Sequence, residues 1–160
     1  TLSKIAELAN VPLGNVYYYF KSKDAIILAV IEYRKQLLEG LFAEWDLIAS
    51  TKERLASFVT YSTNLAEEAA QFGDSLGSLC QELGKHGGSI GQSASELMGS
   101  ILTWCEKQFV AIGQTSENAK KLALNLVASV QGINLITLTF NDPSYIGNHG
   151  QFLNEWLERL

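Results

Sequence analysis

Few side chains in this 160-residue chain have the types and spacing that covalent chemistry needs. Cys80 and Cys105 are the two thiols. They suit a redox or electrophile sensor only if a thiolate is stabilised and solvent can reach it. Lys107 lies near Cys105, but side chains two residues apart on a helix do not face each other. Free cysteines commonly act as small buried apolar groups. His86 and His149 sit in glycine-rich stretches, far apart, with no Cys or Glu at ligand spacing. No metal site and no cofactor are expected from that pattern. There is no Ser-His-Asp order, phosphate loop or paired-carboxylate motif, so the sequence points to binding and away from catalysis.

The densest cluster of informative residues is the first 24, TLSKIAELANVPLGNVYYYFKSKD. Two short helices crossing at a tight turn need a small residue where the axes meet, and Ala6 supplies it. The turn needs a residue that tolerates positive φ, which Asn10 does. Apolar plugs are expected from Val11, Val16 and Phe20. Thr1 caps a helix over residues 2–9, and Asn10 with Val11-Pro12 stops it. A second helix covers 13–20. Ser22 then caps a long helix from Lys23 to about Trp45, with Asp24 favourable in its first turn.

The remainder also reads at helical period: about 52–72, 75–84, 89–112, 116–140 and 151–160. Gly73-Asp74, Lys85 to Gly88, Gly113 and Asn141-Asp142-Pro143 separate these segments. No period-2 strand occurs, and the expected fold class is all-α. Residues 122–141 carry no charge, but Asn125, Gln131 and Asn134 interrupt them, which favours a helix buried by protein over one in a membrane.

The opening run is similar to the signature of the TetR family of bacterial repressors. The matching residues are Thr1, the Ile5-Ala6 pair, Val16-Tyr17-Tyr18-Tyr19-Phe20 and Lys21-Ser22-Lys23. The resemblance covers about 35 residues. It implies a helix-turn-helix DNA-binding head over residues 1–45, including the connecting helix, and a ligand-binding and dimerisation domain over 46–160. It also implies a further helix before Thr1. Thr1 or Ser3 would touch phosphate. Leu13, Gly14 and Asn15 would meet base edges, Tyr17 and Tyr19 would place hydroxyls on phosphates, and Lys23 would add charge beside a helix N-terminus. Asn15 is the side chain there able to read adenine bidentately. Three successive tyrosines on a helix cannot all face DNA, and Tyr18 is expected to face the body. The chain departs from the family at Asn10, where glycine is usual. It departs again at Pro12, where a hydroxyl residue would cap the second helix.

The implied body binds a small molecule. Phe58, Tyr61, Met98, Trp104 and Phe109 could wall an apolar cavity, with Cys80, Cys105, Gln131 and Asn134 as sparse polar handles. The helix over 117–140 has two apolar faces. Leu122, Leu126, Val130, Ile133 and Thr137 are assigned to the core. Leu124, Val127, Leu135 and Leu138 are assigned to a homodimer contact, joined by Phe152, Leu153 and Trp156 of the last helix.

Composition agrees with this picture. Apolar residues make up 47% and charged residues 18% of the chain, enough for a sizeable core. The net charge of −5 opposes nucleic acid taken whole, but residues 1–35 hold five basic against three acidic side chains. The head is mildly basic on an acidic body. Two cysteines and an N-terminus with neither a basic region nor an apolar run point to the reducing cytoplasm. The expected function is a ligand-responsive repressor that binds palindromic double-stranded operator DNA and is released by a small hydrophobic effector. The alternatives are a thiol-based sensor using Cys80 or Cys105, a helical dimeric adaptor without DNA binding, and an enzyme using the body as a substrate cavity.

Overall fold

The computed structural model describes all 160 residues as nine helices and no strands. They are α1 (Leu2–Leu8), α2 (Leu13–Tyr19), α3 (Lys23–Asp46), α4 (Thr51–Asn64), α5 (Ala66–Phe72), α6 (Ser75–Gly84), α7 (Gly88–Ala111), α8 (Ser116–Phe140) and α9 (Ser144–Glu158). Side-chain caps start most of the longer ones. The Ser22 hydroxyl accepts from Ala25 N at 3.1 Å, Ser50 from Glu53 N at 3.3 Å and Thr115 from Asn118 N at 3.3 Å.

α3 leaves the α1–α2 pair and runs unbroken into the body. There α4, α7, α8 and α9 share one core, which includes Trp45, Leu55, Phe58, Trp104, Phe109, Leu126 and Leu153. A smaller cluster of Ile31, Leu83, Ala94 and Leu97 ties α3 to α6 and α7. A polar pin closes the lower end of α3. The Asp46 carboxylate accepts from Trp104 Nε1 and Gln108 Nε2, each at 3.1 Å. Two otherwise orphaned donors of buried side chains are thereby satisfied.

The segment expected as one helix over 52–72 is two, broken at Leu65. The Thr63 hydroxyl donates to the Thr60 carbonyl at 2.9 Å, and Leu65 N bonds Ser62 O in a tighter turn. Back-bonding of this kind competes with the helical ladder and bends it. The break lets α5 turn onto α8.

The last helix starts at Ser144, seven residues before the expected Gln151. Pro143 holds φ −65, and Asp142 Oδ1 accepts from Ser144 N at 2.9 Å. The first two turns contain Gly147 and Gly150, which lower helix propensity. Packing overrides that. Ile146 is buried, and Gly150 lies so close to α4 that a Cβ would overlap Thr63 Cγ2. The true buried stripe of α9 is Ile146, Gly150, Leu153 and Leu157.

Burial corrects five further expectations. Val11 is 41% exposed and plugs nothing; Ala6 and Val16 hold the α1–α2 crossing without it. Tyr18 is 73% exposed and faces away from the body, its ring edge-on to Tyr19. Val127 is 4% exposed and lies in the core, because α8 is gripped by α5, α7 and α9 around a wide arc. Leu153 is buried between α9 and the core for the same reason. Trp156, also assigned to the dimer contact, is half-buried against Phe109. α8 is long and apolar enough to cross a bilayer by length and composition; here it is the centre of the body packing.

His149 on α9 stacks on Phe152, and its Nε2 is buried without a hydrogen-bond partner. Desolvation lowers its pKa below the ordinary 6.5. Above 6.5 the ring is neutral folded and unfolded, so no penalty arises. As pH falls through that value the unfolded chain binds the proton first, and stability declines. Denaturant melts from about pH 8 to pH 5 should show this decline, and His149→Gln should flatten it. An unchanged slope in the variant would remove His149 as its source.

Candidate nucleic-acid interface and body cavities

The head is built by local rules. Thr1 Oγ1 accepts from Lys4 N at 3.3 Å and starts α1. Asn10 takes the left-handed conformation at φ 53, and Val11 N reaches back to Ala6 O at 3.0 Å to close the turn. Ala6 and Val16 are buried at the crossing of α1 and α2. α2 begins at Pro12 without a side-chain cap. It ends with Lys21 Nζ donating to the carbonyls of Tyr17 and Tyr18 at 3.0 and 3.3 Å. A cation there also suits the helix dipole.

The eight residues expected at DNA are all exposed: Thr1, Ser3, Leu13, Gly14, Asn15, Tyr17, Tyr19 and Lys23. Leu13, Gly14 and Asn15 form the exposed first turn of α2.

The body holds two cavities that share a wall. The inner one, about 140 Å³, is lined by residues of α3 to α8. Its lining includes Leu37, Leu38, Leu41 and Trp45 of α3, with Phe58 and Tyr61 of α4. The outer one, about 630 Å³, opens between α6, α7 and α8 and includes Cys80 and Met98. Gly73, Asp74, Gln131 and Asn134 line both. The partition is a hydrogen-bonded clasp. Gln131 Nε2 donates to Asp74 Oδ2 at 2.9 Å, and Asp74 caps α6 by accepting from Leu76 N and Gly77 N at 3.2 and 2.9 Å. Gly77 makes the clasp possible, since a Cβ there would overlap Gln131 Oε1.

Both thiols are held protonated. Burial pushes Cys105 up to about 12. Burial and then the charge of Asp74 raise Cys80, whose Sγ lies 3.5 Å from Ala94 O. Neither environment supplies the stabilised thiolate that a redox or electrophile sensor requires.

Comparison with known proteins bears on the head and on the whole fold. Residues 1–30 match the model of the bacterial regulatory proteins, tetR family. The transcriptional regulator AcuR of Cereibacter sphaeroides is 32% identical over 109 residues, covering 64% of this chain and 47% of that protein. The chain therefore spans about half the length of this curated relative. The crystal structure of a TetR transcriptional regulator from Legionella pneumophila superimposes with a TM-score of 0.84 at 19% identity, over 97% of this chain and 84% of that one. That likeness concerns the fold. The chain thus carries the family's motif over residues 1–30 and has the fold of a TetR regulator.

The residues expected around a ligand divide four ways. Cys80 and Met98 face the outer cavity, and Phe58 and Tyr61 the inner one. Gln131 and Asn134 face both. Trp104, Cys105 and Phe109 line neither; they are core, with Cys105 and Phe109 fully buried. Sequence reasoning missed the wall that α3 contributes and the Asp74 clasp. The spacing 37, 38, 41, 45 carried the first signal. The Gly73-Asp74 break carried the second, read only as a helix end.

Gly14 makes a test of the head. It lies inside α2 with ordinary negative φ, and a Cβ there would meet nothing within 4 Å. Folding has no need of glycine at this position, and the helix is weaker for it. Gly14→Ala should stabilise α2 by about 0.5–1 kcal/mol and still weaken DNA binding, because the backbone can no longer approach the groove as closely. Thermal melts and gel shifts measure the two effects. A variant that binds DNA as well as the parent would remove Gly14 from the interface.

Proposed function

We propose that this protein is a transcriptional repressor that binds palindromic operator DNA as a homodimer and is released by a small hydrophobic effector. The observation carrying the proposal is the continuity of α3. One 24-residue helix starts beside the exposed α2 and ends as a wall of the inner cavity. A ligand that favours one setting of that wall shifts the population of head positions, since the helix joins both.

At the DNA, Asn15 reads an adenine edge and Leu13 meets a thymine methyl. Tyr17, Tyr19, Thr1, Ser3 and Lys23 hold phosphates, which set register without reading sequence. At the dimer contact, α8 offers Leu124, Leu135 and Leu138, and α9 offers Phe152, all exposed. Ile136 and Phe140 of α8 and Tyr145 of α9 are further exposed apolar side chains, with Phe140 packed on Tyr145, which the sequence reading did not include. Two helices from each subunit would pack about a two-fold axis, placing two heads roughly one turn of DNA apart. The protein acts by binding, in the cytoplasm, with no membrane partner. The raised thiol pKa values weigh against the thiol-sensor alternative.

Selection of bound sequences from a random DNA pool tests the reading. A consensus of two inverted half-sites, with affinity falling steeply as salt rises, supports it. Retention of no DNA, or of DNA without symmetry, overturns it. Salt-insensitive behaviour towards DNA would favour the adaptor.

A further inference from the structure

We infer that the inner cavity takes a short, apolar-tailed monocarboxylate, held by Arg34; this rests on the reading that the body binds an effector. Arg34, Leu37, Leu38, Leu41 and Trp45 follow one another on one face of α3, and all line the inner cavity. The period calls for an apolar residue at each place, and four of the five comply. Arg34, nearest the head, breaks the rule, and such breaks concentrate at functional positions.

The charge of Arg34 is unanswered. It is half-buried and takes part in neither of the two salt bridges, Lys85–Glu82 and Lys121–Glu117. No side-chain hydrogen bond engages it, and a guanidinium cannot discard its proton. Two carboxylates share the lining, Asp74 and Glu68. Asp74 accepts three hydrogen bonds at the clasp. Glu68 is exposed and hydrated. Arg34 is thus the lining charge that is both partly buried and without a partner, and the ligand that meets it is an anion.

The fork of a guanidinium suits both carboxylate and phosphate. A phosphate dianion doubles its attraction to the one guanidinium but also its repulsion from both carboxylates, so a lining of one cation and two anions disfavours the second charge. That difference selects the carboxylate. Size sets the tail. The cavity is about 140 Å³, close to the roughly 150 Å³ of an apolar cavity that holds a six-carbon ring. Trp45, Phe58, Leu65 and Phe72 make its walls apolar. The carboxylate would sit at the head-proximal end of the cavity, at the middle of α3, with the tail pointing inward. The competing role for Arg34 is simpler: its stem covers apolar surface while its head stays in water.

Calorimetry and tryptophan fluorescence on the purified chain without DNA test the assignment, Trp45 serving as a reporter in the cavity wall. The probes are acetate, hexanoate, benzoate, dodecanoate, hexanamide, hexylamine and hexyl phosphate. Hexanoate and benzoate should bind saturably, roughly tenfold or more tighter than hexanamide, hexylamine or hexyl phosphate. Acetate lacks the tail and dodecanoate exceeds the cavity, so both should bind more weakly. Arg34→Gln should cost hexanoate roughly tenfold or more and leave hexanamide unchanged; Arg34→Lys should fall between. Glu68→Gln should tighten hexanoate. Circular dichroism melts establish that each variant folds. Absence of hexanoate binding, equal binding of hexanamide or hexylamine, or an Arg34→Gln variant that binds hexanoate like the parent would overturn the assignment. Release from operator DNA is measured separately. Binding of another probe class with release would overturn the carboxylate and keep the effector reading. Arg34-dependent hexanoate binding without release would do the reverse.

Discussion

Val127→Glu is expected to unfold the chain, whereas Leu135→Glu should leave it helical and separate the subunits. The two positions lie two turns apart on α8 and are equally apolar. Val127 is 4% exposed, within the core that holds Leu126, Val130 and Leu157. An ionised carboxylate there has no partner and no water, and the loss should be about 4 kcal/mol or more. That is a large share of the 5–15 kcal/mol by which domains are usually stable. Leu135 is 63% exposed, and a charge there should change monomer stability by no more than about 0.5 kcal/mol. In the proposed dimer it would meet its counterpart near the two-fold axis, so two charges would enter one apolar contact. Far-ultraviolet circular dichroism separates folded from unfolded, and sedimentation equilibrium separates dimer from monomer. Should Val127→Glu stay fully helical, the core face of α8 is wrong. Should Leu135→Glu sediment like the parent, the exposed face is not the interface.

Asn15→Ala is expected to lower operator affinity by about 2–6 kcal/mol per dimer and to erase preference at one base pair in each half-site. The figure is twice the 1–3 kcal/mol of one bidentate base contact. Asn15 lies on the open first turn of α2, with no structural duty that its removal would disturb. Tyr17→Phe and Tyr19→Phe make the contrast. Each removes one hydroxyl from a phosphate, costs about 1 kcal/mol, and does so on every sequence alike. Titrations against the selected operator and its single-pair variants distinguish the patterns. If Asn15→Ala weakens all sequences equally, base reading belongs to another side chain.

The head and the helix inventory were legible because their causes are local. Asn10 tolerates positive φ, Ala6 permits a close crossing, and Thr1 and Ser22 satisfy backbone donors within one turn of themselves. Each of those facts involves residues at most a few places apart, so the order of residues is enough to state them. The break at Leu65 and the early start of α9 were not legible. The first depends on a hydroxyl choosing a carbonyl, and the second on Ile146 and Gly150 finding α4.

Side-chain destinations in the body required the tertiary structure. Trp104, Phe109 and Cys105 have the same character in sequence as Phe58 and Tyr61, yet only the latter two line a cavity. Val127 and Leu124 are both apolar positions of one helix, and which of them is covered depends on how many neighbours grip α8. The clasp between Asp74 and Gln131 joins residues 57 apart in the chain. No period within either helix encodes it. The amino-acid sequence determined the all-α class, the caps and the turn between α1 and α2, since those follow from interactions within a turn or two. Only the packed structure decided which apolar face is core, which thiols are sealed, and where Arg34 points, because each is settled by helices that the chain brings together from far along its length.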